Sequence, residues 1–243
     1  VEFAEKSPVI LYRDEALVAV HKPSGLPVHR GGRESRFGMA LLQMLRDHLG
    51  CHLYPVHRLD RPTSGVLILA LSQESAARLG AQFRRHEVDK EYLALVRGQI
   101  SLRGRISRFL RPEEKPDARP RFSVTAYHRV DCVEIPVPMG RVPHRCYSLV
   151  ELHPETGRSR QIRRHLNALS HPIIGDSTWG DTRHNRFFRE AFGCERLMLA
   201  ATRLSLLHPV TGERLRIASP LSRDFYGVLE RLGMEKIPGV WIP

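Results

Sequence analysis

Residues 57–71 read HRLDRPTSGVLILAL. One acid, Asp60, stands between Arg58 and Arg61; Pro62 and Gly65 break the chain, and an unbroken apolar run follows. A short apolar run bounded by turn residues reads as a strand buried on both faces. A carboxylate at its mouth has two meanings. It is either a turn-capping acid in a surface ion pair, a contact worth ~0–1 kcal/mol, or a functional group kept charged by its neighbours. Positive neighbours lower a carboxylate's pKa and loss of water raises it. An acid beside arginines therefore keeps, even in a cleft, the charged state that a nucleophile or general base requires. Taken alone, the stretch favours the ion-paired turn.

Working outward, VILYRDEALVAVHKPSG (residues 9–25) predicts two short strands around a turn at Arg13, Asp14 and Glu15. Phe37, Leu41, Leu42, Leu45 and Leu49 follow helical spacing, and Gln73 to His86 predicts a second helix with Ala76, Leu79 and Phe83 on one side. Lys90 to Val96, Cys146 to Leu152 and Leu197 to Leu207 read as strands, and Arg160 to Leu169 and Asp224 to Leu232 as helices. Residues 101–121, SLRGRISRFLRPEEKPDARPR, are rich in Arg and Pro and show no long period; they read as a partly extended basic loop insert, a linker or an RNA-facing loop. Strands and helices alternate irregularly, which fits an α+β fold with a mixed sheet better than a doubly wound parallel one.

A chain of 243 residues holds one large domain or two small lobes, and 42% apolar with 26% charged residues is ordinary for a globular protein. No apolar run is long enough to span a bilayer, and the first residues lack the pattern of a secretory signal. Cys51, Cys132, Cys146 and Cys194 form no CxxC pair and the thirteen histidines no HExxH spacing, so reduced thiols in a cytoplasm are expected and a metal site is unsupported. The formal charge of +12 is the first strong clue, since it favours a polyanionic partner, nucleic acid or an acidic membrane surface. Arg greatly outnumbers Lys, which suits forked contacts to phosphate.

Two further stretches carry chemistry. In ETGRSRQIRRHLNALSHPIIGD (residues 155–176), a helix starting near Ser159 puts Ile162, Leu166 and Leu169 on one face and Arg160, Arg164 and Asn167 on the other, with Arg163 at the border. Arg158, Arg160, Arg163 and Arg164 then make a compact positive site; a solvated basic face would explain the stripe but not the Gly157 entry or the HPIIGD exit. In KEYLALVRG, Tyr92 shares a strand face with Ala94 and Val96, small neighbours that leave room for a base to stack. A core tyrosine is the plainer alternative. HKPSG lacks the ending of a phosphate loop, and no GxGxxG or GxSxG is present.

Together, HRLDRPTSG, KEYLALVRG and GRSRQIRRHLNALSHPIIGD resemble, in order, the motifs of the RluA-type pseudouridine synthases. VAVHKPSGLPVH resembles the family's first motif, with His21 where Asn is usual, and LMLAATRLSLLHPVTGE the last; the likeness runs from Ile10 to Gly212. The resemblance implies a single catalytic domain over 1–243, two lobes around a cleft with a mainly antiparallel sheet, and no N-terminal S4 domain. It implies isomerisation of uridine in RNA, without cofactor or metal; an uninterrupted one-domain chain makes a monomer the expectation. Asp60 would be the essential carboxylate, acting on the base or, through a glycal, at the sugar. Arg163 would pair with it and hold it ionised, and Tyr92 would stack on the base and assist proton loss at C5. Arg58 would fill the space left by the flipped nucleotide, Leu199 would pack beside the base, and Arg61, Arg158, Arg160 and Arg164 would contact RNA. The motifs are most similar to the subgroup that modifies uridine-65 of tRNA; an rRNA target, or an idle RNA-binding protein of the same fold, are the alternatives. Arg160 and Ala200 stand where relatives usually carry His, which bears on the substrate more than on the reaction.

Overall fold

The structure is a computed structural model describing residues 9–29, 39–113, 117–139 and 142–234. The chain divides into two compact units, one formed by residues 1–90, 201–221 and 240–243, the other by 91–200 and 222–239. Every strand register described is antiparallel, and the fold is α+β.

In the first unit, strand β1 (Val9–Arg13) turns into β2 (Leu17–Lys22), as the alternation predicts. The turn is fixed by the Asp14 carboxylate, whose Oδ1 accepts from the amides of Ala16 and Leu17 at 2.7 and 2.9 Å. β2 pairs with β4 (Ser64–Ala70), all of whose residues are buried, and β3 (Tyr54–Pro55) adds to β4's end. The order continues β1-β2-β4-β9, with β9 (Leu199–Leu207) also carrying β10 (Arg214–Ala218). Helix α1 occupies Leu41–Leu49; the predicted start at Phe37 lies outside the described residues. Helix α2 (Gln73–Arg85) matches its expected span because both ends are signalled: Ser72 Oγ accepts from the Ser75 amide, and His86 leaves the helix in the left-handed region.

In the second unit, β5 (Asp89–Arg97), β6 (Arg103–Leu110), β7 (Arg121–Met139) and β8 (Val142–Pro154) follow the spatial order β5-β8-β7-β6. Helices α3 (Gln161–Ala168), α4 (Thr182–Phe192) and α5 (Arg223–Arg231) complete it. The expected loop at 101–121 is corrected here, since Arg103–Leu110 is a regular strand paired with Arg121–His128. Along it only Ile106 and Leu110 are buried, while Arg103 and Arg105 are exposed, so the apolar alternation is too sparse to register in the sequence. An edge strand carries such charges because they discourage pairing with another chain. β3, β7, β10 and α4 are the other described elements without a sequence expectation.

Candidate active site

The loop preceding β4 is shaped from outside itself. Lys22, at the end of β2, is fully buried, and its ammonium donates to the carbonyls of Pro23, Leu26 and Arg61 at 2.8, 2.7 and 2.9 Å. Three short bonds to carbonyls are what a buried ammonium needs to offset lost hydration. The Gly25 amide donates to the same Arg61 carbonyl at 2.9 Å, and Ser24 Oγ donates to that of Pro62 at 2.7 Å. HKPSG is thus a brace for HRLDRPTSG. Within the loop, the Thr63 amide closes a turn on the Asp60 carbonyl at 3.0 Å, and Leu59 and Thr63 are buried on either side. Asp60 is half-buried and Arg58 exposed. Gly65 is required: its φ is +115°, and a Cβ there would lie 2.1 Å from the carbonyl oxygen of Ala201.

His57 opens the motif with a fixed tautomer. Its Nε2 accepts from the Ile68 amide at 2.9 Å, so a neutral ring carries its proton on Nδ1. Burial, aided by Lys90, lowers its pKa to about 3, and the ring stacks on Phe83 with centroids 4.6 Å apart. His21, where Asn is usual in the resembling motif, is buried and bonds through Nδ1 to Ser219 Oγ at 2.7 Å.

In the second unit, α3 starts from Arg160, held at φ 53°. Gln161 is buried with both ends of its amide satisfied: Oε1 accepts from Thr156 Oγ1 (2.7 Å) and the Arg158 amide (3.0 Å), and Nε2 donates to the Val124 carbonyl and Thr125 Oγ1, both 2.9 Å. His165, with no exposed surface, extends this network. Ser123 Oγ spends its proton on the Arg108 carbonyl at 2.6 Å, so His165 Nε2 donates to Ser123 Oγ (2.9 Å), while Nδ1 accepts from Thr125 Oγ1 (3.0 Å). The ring is therefore neutral; burial, then Arg108 and Arg164, lower its pKa to about 4. Because the unfolded ring has a higher pKa of 6.5, the unfolded chain binds more protons between pH 6.5 and about 4, and stability falls as pH drops through that window. At ~1.4 kcal/mol per unit the loss reaches roughly 3 kcal/mol. Urea unfolding at several pH values should show this slope, and His165→Gln should make it shallower while the share due to His57 remains; an identical slope in the variant refutes the assignment.

One turn along α3, Arg163 is 4% exposed and makes a two-pronged contact with Asp176, itself 2% exposed: Nε to Oδ2 at 2.7 Å and Nη2 to Oδ1 at 2.8 Å. The amides of Thr178 and Trp179 also donate to Oδ1, at 2.9 and 3.0 Å. Burial alone would raise the Asp176 carboxyl; Arg163 and the two amides outweigh it and hold it below the ordinary carboxylate range. The Arg163 guanidinium stands 4.9 Å from the centre of the Trp179 ring, and that of Arg160 5.6 Å. Asp176 closes the HPIIGD motif whose presence a solvated helix left unexplained, and that exit is the signal by which it could have been found.

The expected positive cluster is thus structured by protein contacts. Arg160 pairs with Glu113, Arg164 Nη1 donates to the Arg111 carbonyl at 2.8 Å, and Arg158 Nε donates to that of Phe122 at 3.4 Å. Leu169, expected on one helix face with Ile162 and Leu166, lies past the helix end and is 37% exposed. Tyr92 lies on β5, part-buried, with Ala94 and Val96 fully buried, and Leu199 and Ala200 are buried at the start of β9. Among the described residues, Glu91, Glu151 and His153 bring possible ligand atoms within 4.8 Å of one another, and His153 Nε2 bonds Glu151 Oε1 at 2.8 Å. Asp60 and Arg61 belong to the first unit, Tyr92 and Arg163 to the second.

A family model described as RNA pseudouridylate synthase matches residues 16–168. Among curated relatives, the tRNA pseudouridine synthase C of Yersinia pestis is 44% identical over 236 residues, covering 94% of this chain and 92% of the relative. That of Vibrio cholerae serotype O1 is 42% identical over 235 residues, covering 93% and 96%. That of Pectobacterium carotovorum subsp. carotovorum is 46% identical over 236 residues, covering 94% of this chain, which spans 63% of that relative's length. Two solved human structures match with a TM-score of 0.70. RNA Pseudouridylate Synthase Domain Containing 1 is 28% identical, with 91% of this chain and 86% of that one covered. Domain Containing 4 is 27% identical, with 93% of each covered.

Proposed function

The chain belongs to the RNA pseudouridylate synthase family, and on that premise we propose that it isomerises uridine to pseudouridine in tRNA, at uridine-65, with its two units acting as one catalytic domain. One observation carries the proposal: the match over residues 16–168 contains Asp60, Tyr92 and Arg163, each on an element fastened by buried or backbone hydrogen bonds. The naming of relatives above 40% identity over more than nine-tenths of their length supports the tRNA substrate.

In the proposed reaction the N1–C1′ bond of uridine breaks, the base turns, a C5–C1′ bond forms, the C5 proton leaves and N1 gains one. No electrons are exchanged with a cofactor. Asp60 supplies the carboxylate that promotes cleavage and rejoining. Arg163 is assigned the countercharge that keeps this carboxylate ionised while Asp176 fixes the guanidinium plane. Tyr92 stacks on the base and assists removal of the C5 proton. Arg58, exposed on the loop, occupies the helical space that the extruded nucleotide vacates, and Leu199 packs beside the base. Arg61, Arg158, Arg160 and Arg164 lie along the RNA. Among the described residues no helix is long and apolar enough to cross a membrane, and the proposed setting is the cytoplasm.

The test is direct. Unmodified tRNA transcripts incubated with the purified protein should acquire a carbodiimide adduct that stops primer extension at uridine-65. Stops confined to rRNA would move the substrate to ribosomal RNA, and absence of adduct in either RNA would overturn the proposal.

A further inference from the structure

Helix α4 takes no part in the proposed reaction, yet it is fastened to the residue that holds Arg163. Its inner side is fixed at three points. Phe188 is fully buried, His184 Nδ1 bonds the Tyr147 hydroxyl at 2.7 Å, and Asn185 spans a neighbouring loop. Asn185 Oδ1 accepts from the Gly175 amide at 2.8 Å, and its Nδ2 donates to the Asp176 carbonyl at 2.9 Å. Asp176 is the residue whose carboxylate grips Arg163, so α4 is registered to Arg163 through a single intervening residue.

The outer side is a row of cations. Arg183, Arg186 and Arg189 are exposed, three residues apart, so each lies about 4.5 Å further along the axis and stays on the outward side. Among the described residues none of the three forms an ion pair, although Glu190 shares the exposed surface. The arrangement works against the helix itself. Its first turn holds no acid and instead carries Arg183, where the helix dipole disfavours a cation, and like charges three residues apart repel. Asp181 caps the helix from outside, accepting from the Arg183 and His184 amides, but it is engaged by Arg97. Burial lowers the pKa of His184, opposed by Asp181, so the lasting positive charge on α4 is its arginines. A solvated face would be expected to mix signs along such a row. Three unneutralised guanidinium groups complement a regularly charged polyanion.

We infer that α4 is a phosphate-tracking site: Arg183, Arg186 and Arg189 bind the RNA backbone away from the target uridine and set its register relative to Arg163. This rests on the proposed RNA substrate. The test compares the wild-type chain with R183Q/R186Q/R189Q, using fluorescent unmodified tRNA across a salt series. Each lost phosphate contact should make the slope of log K against log salt shallower by about 0.7–0.9, so the triple variant should lose about two units of slope. Its affinity should fall at least tenfold, and KM should rise with kcat unchanged. Its melting temperature should not drop, and R183K/R186K/R189K should restore most of the slope. Unchanged affinity and slope in a folded glutamine variant would overturn the inference while leaving the proposed function intact. So would loss of binding to anionic vesicles without loss of RNA binding. A wild-type chain that binds no RNA would overturn both.

Discussion

Asp60→Ala is expected to abolish conversion of uridine, with the rate falling by at least about a thousandfold, the scale seen when a carboxylate acting as nucleophile or base is removed. The fold should survive the change, because bonds from other residues hold the backbone of the loop. Its backbone is held at Arg61 and Pro62 by Lys22, Gly25 and Ser24, and the Asp60 carbonyl that receives the Thr63 amide remains in an alanine variant. Circular dichroism and tRNA affinity should stay within a small factor of the parent while single-turnover conversion disappears. Asp60→Asn, which keeps the shape and removes the charge, should be equally inactive; conversion at more than a few per cent of the parent rate by either variant would remove Asp60 from the mechanism.

The second large effect concerns Arg163 and Asp176. Deleting one partner of a buried ion pair strands the other charge and costs about 3–5 kcal/mol. Asp176→Ala should therefore lower the urea midpoint sharply and abolish activity, for two superposed reasons. A second variant separates them. R163M/D176L replaces the pair with apolar side chains of similar bulk and strands no charge. It should recover part of the lost stability, short of the whole because the Thr178 and Trp179 amides lose their acceptor, and none of the activity. Arg163→Lys should fail as well, since an ammonium cannot reproduce the two-pronged contact made by Nε and Nη2. Activity in the apolar double variant would show that Arg163 serves the fold alone.

How far the sequence could be read depended on where each signal lay. α2 was legible to within a residue because Ser72 and His86 mark its ends, and β4 because an unbroken apolar run is self-evident. Asp60 was legible only in combination, as the local pattern of its loop is that of any ion-paired turn. Arg163 could be placed on a helix border, but its partner lies thirteen positions on, past the end of the helix, at a separation no helical period reaches. β6 escaped because its outward arginines outnumber its two buried residues. α4 escaped because its polar face is three arginines and its inner face mixes His184, Asn185 and Phe188, whose roles become apparent only against Tyr147 and Gly175.

The enclosed ammonium of Lys22 has a consequence for how the protein comes into being. The carbonyl it holds at Arg61 lies 39 positions later in the chain, and the two are brought together by the pairing of Lys22 with Gly65 in adjacent strands. A growing chain that has just exposed HRLDRPTSG therefore owns the motif without its shape. The loop is set when the two strands zip, so catalytic competence arrives with a long-range folding event, the slow kind, rather than with synthesis of the motif. A short peptide carrying the same nine residues would inherit the letters and none of the geometry.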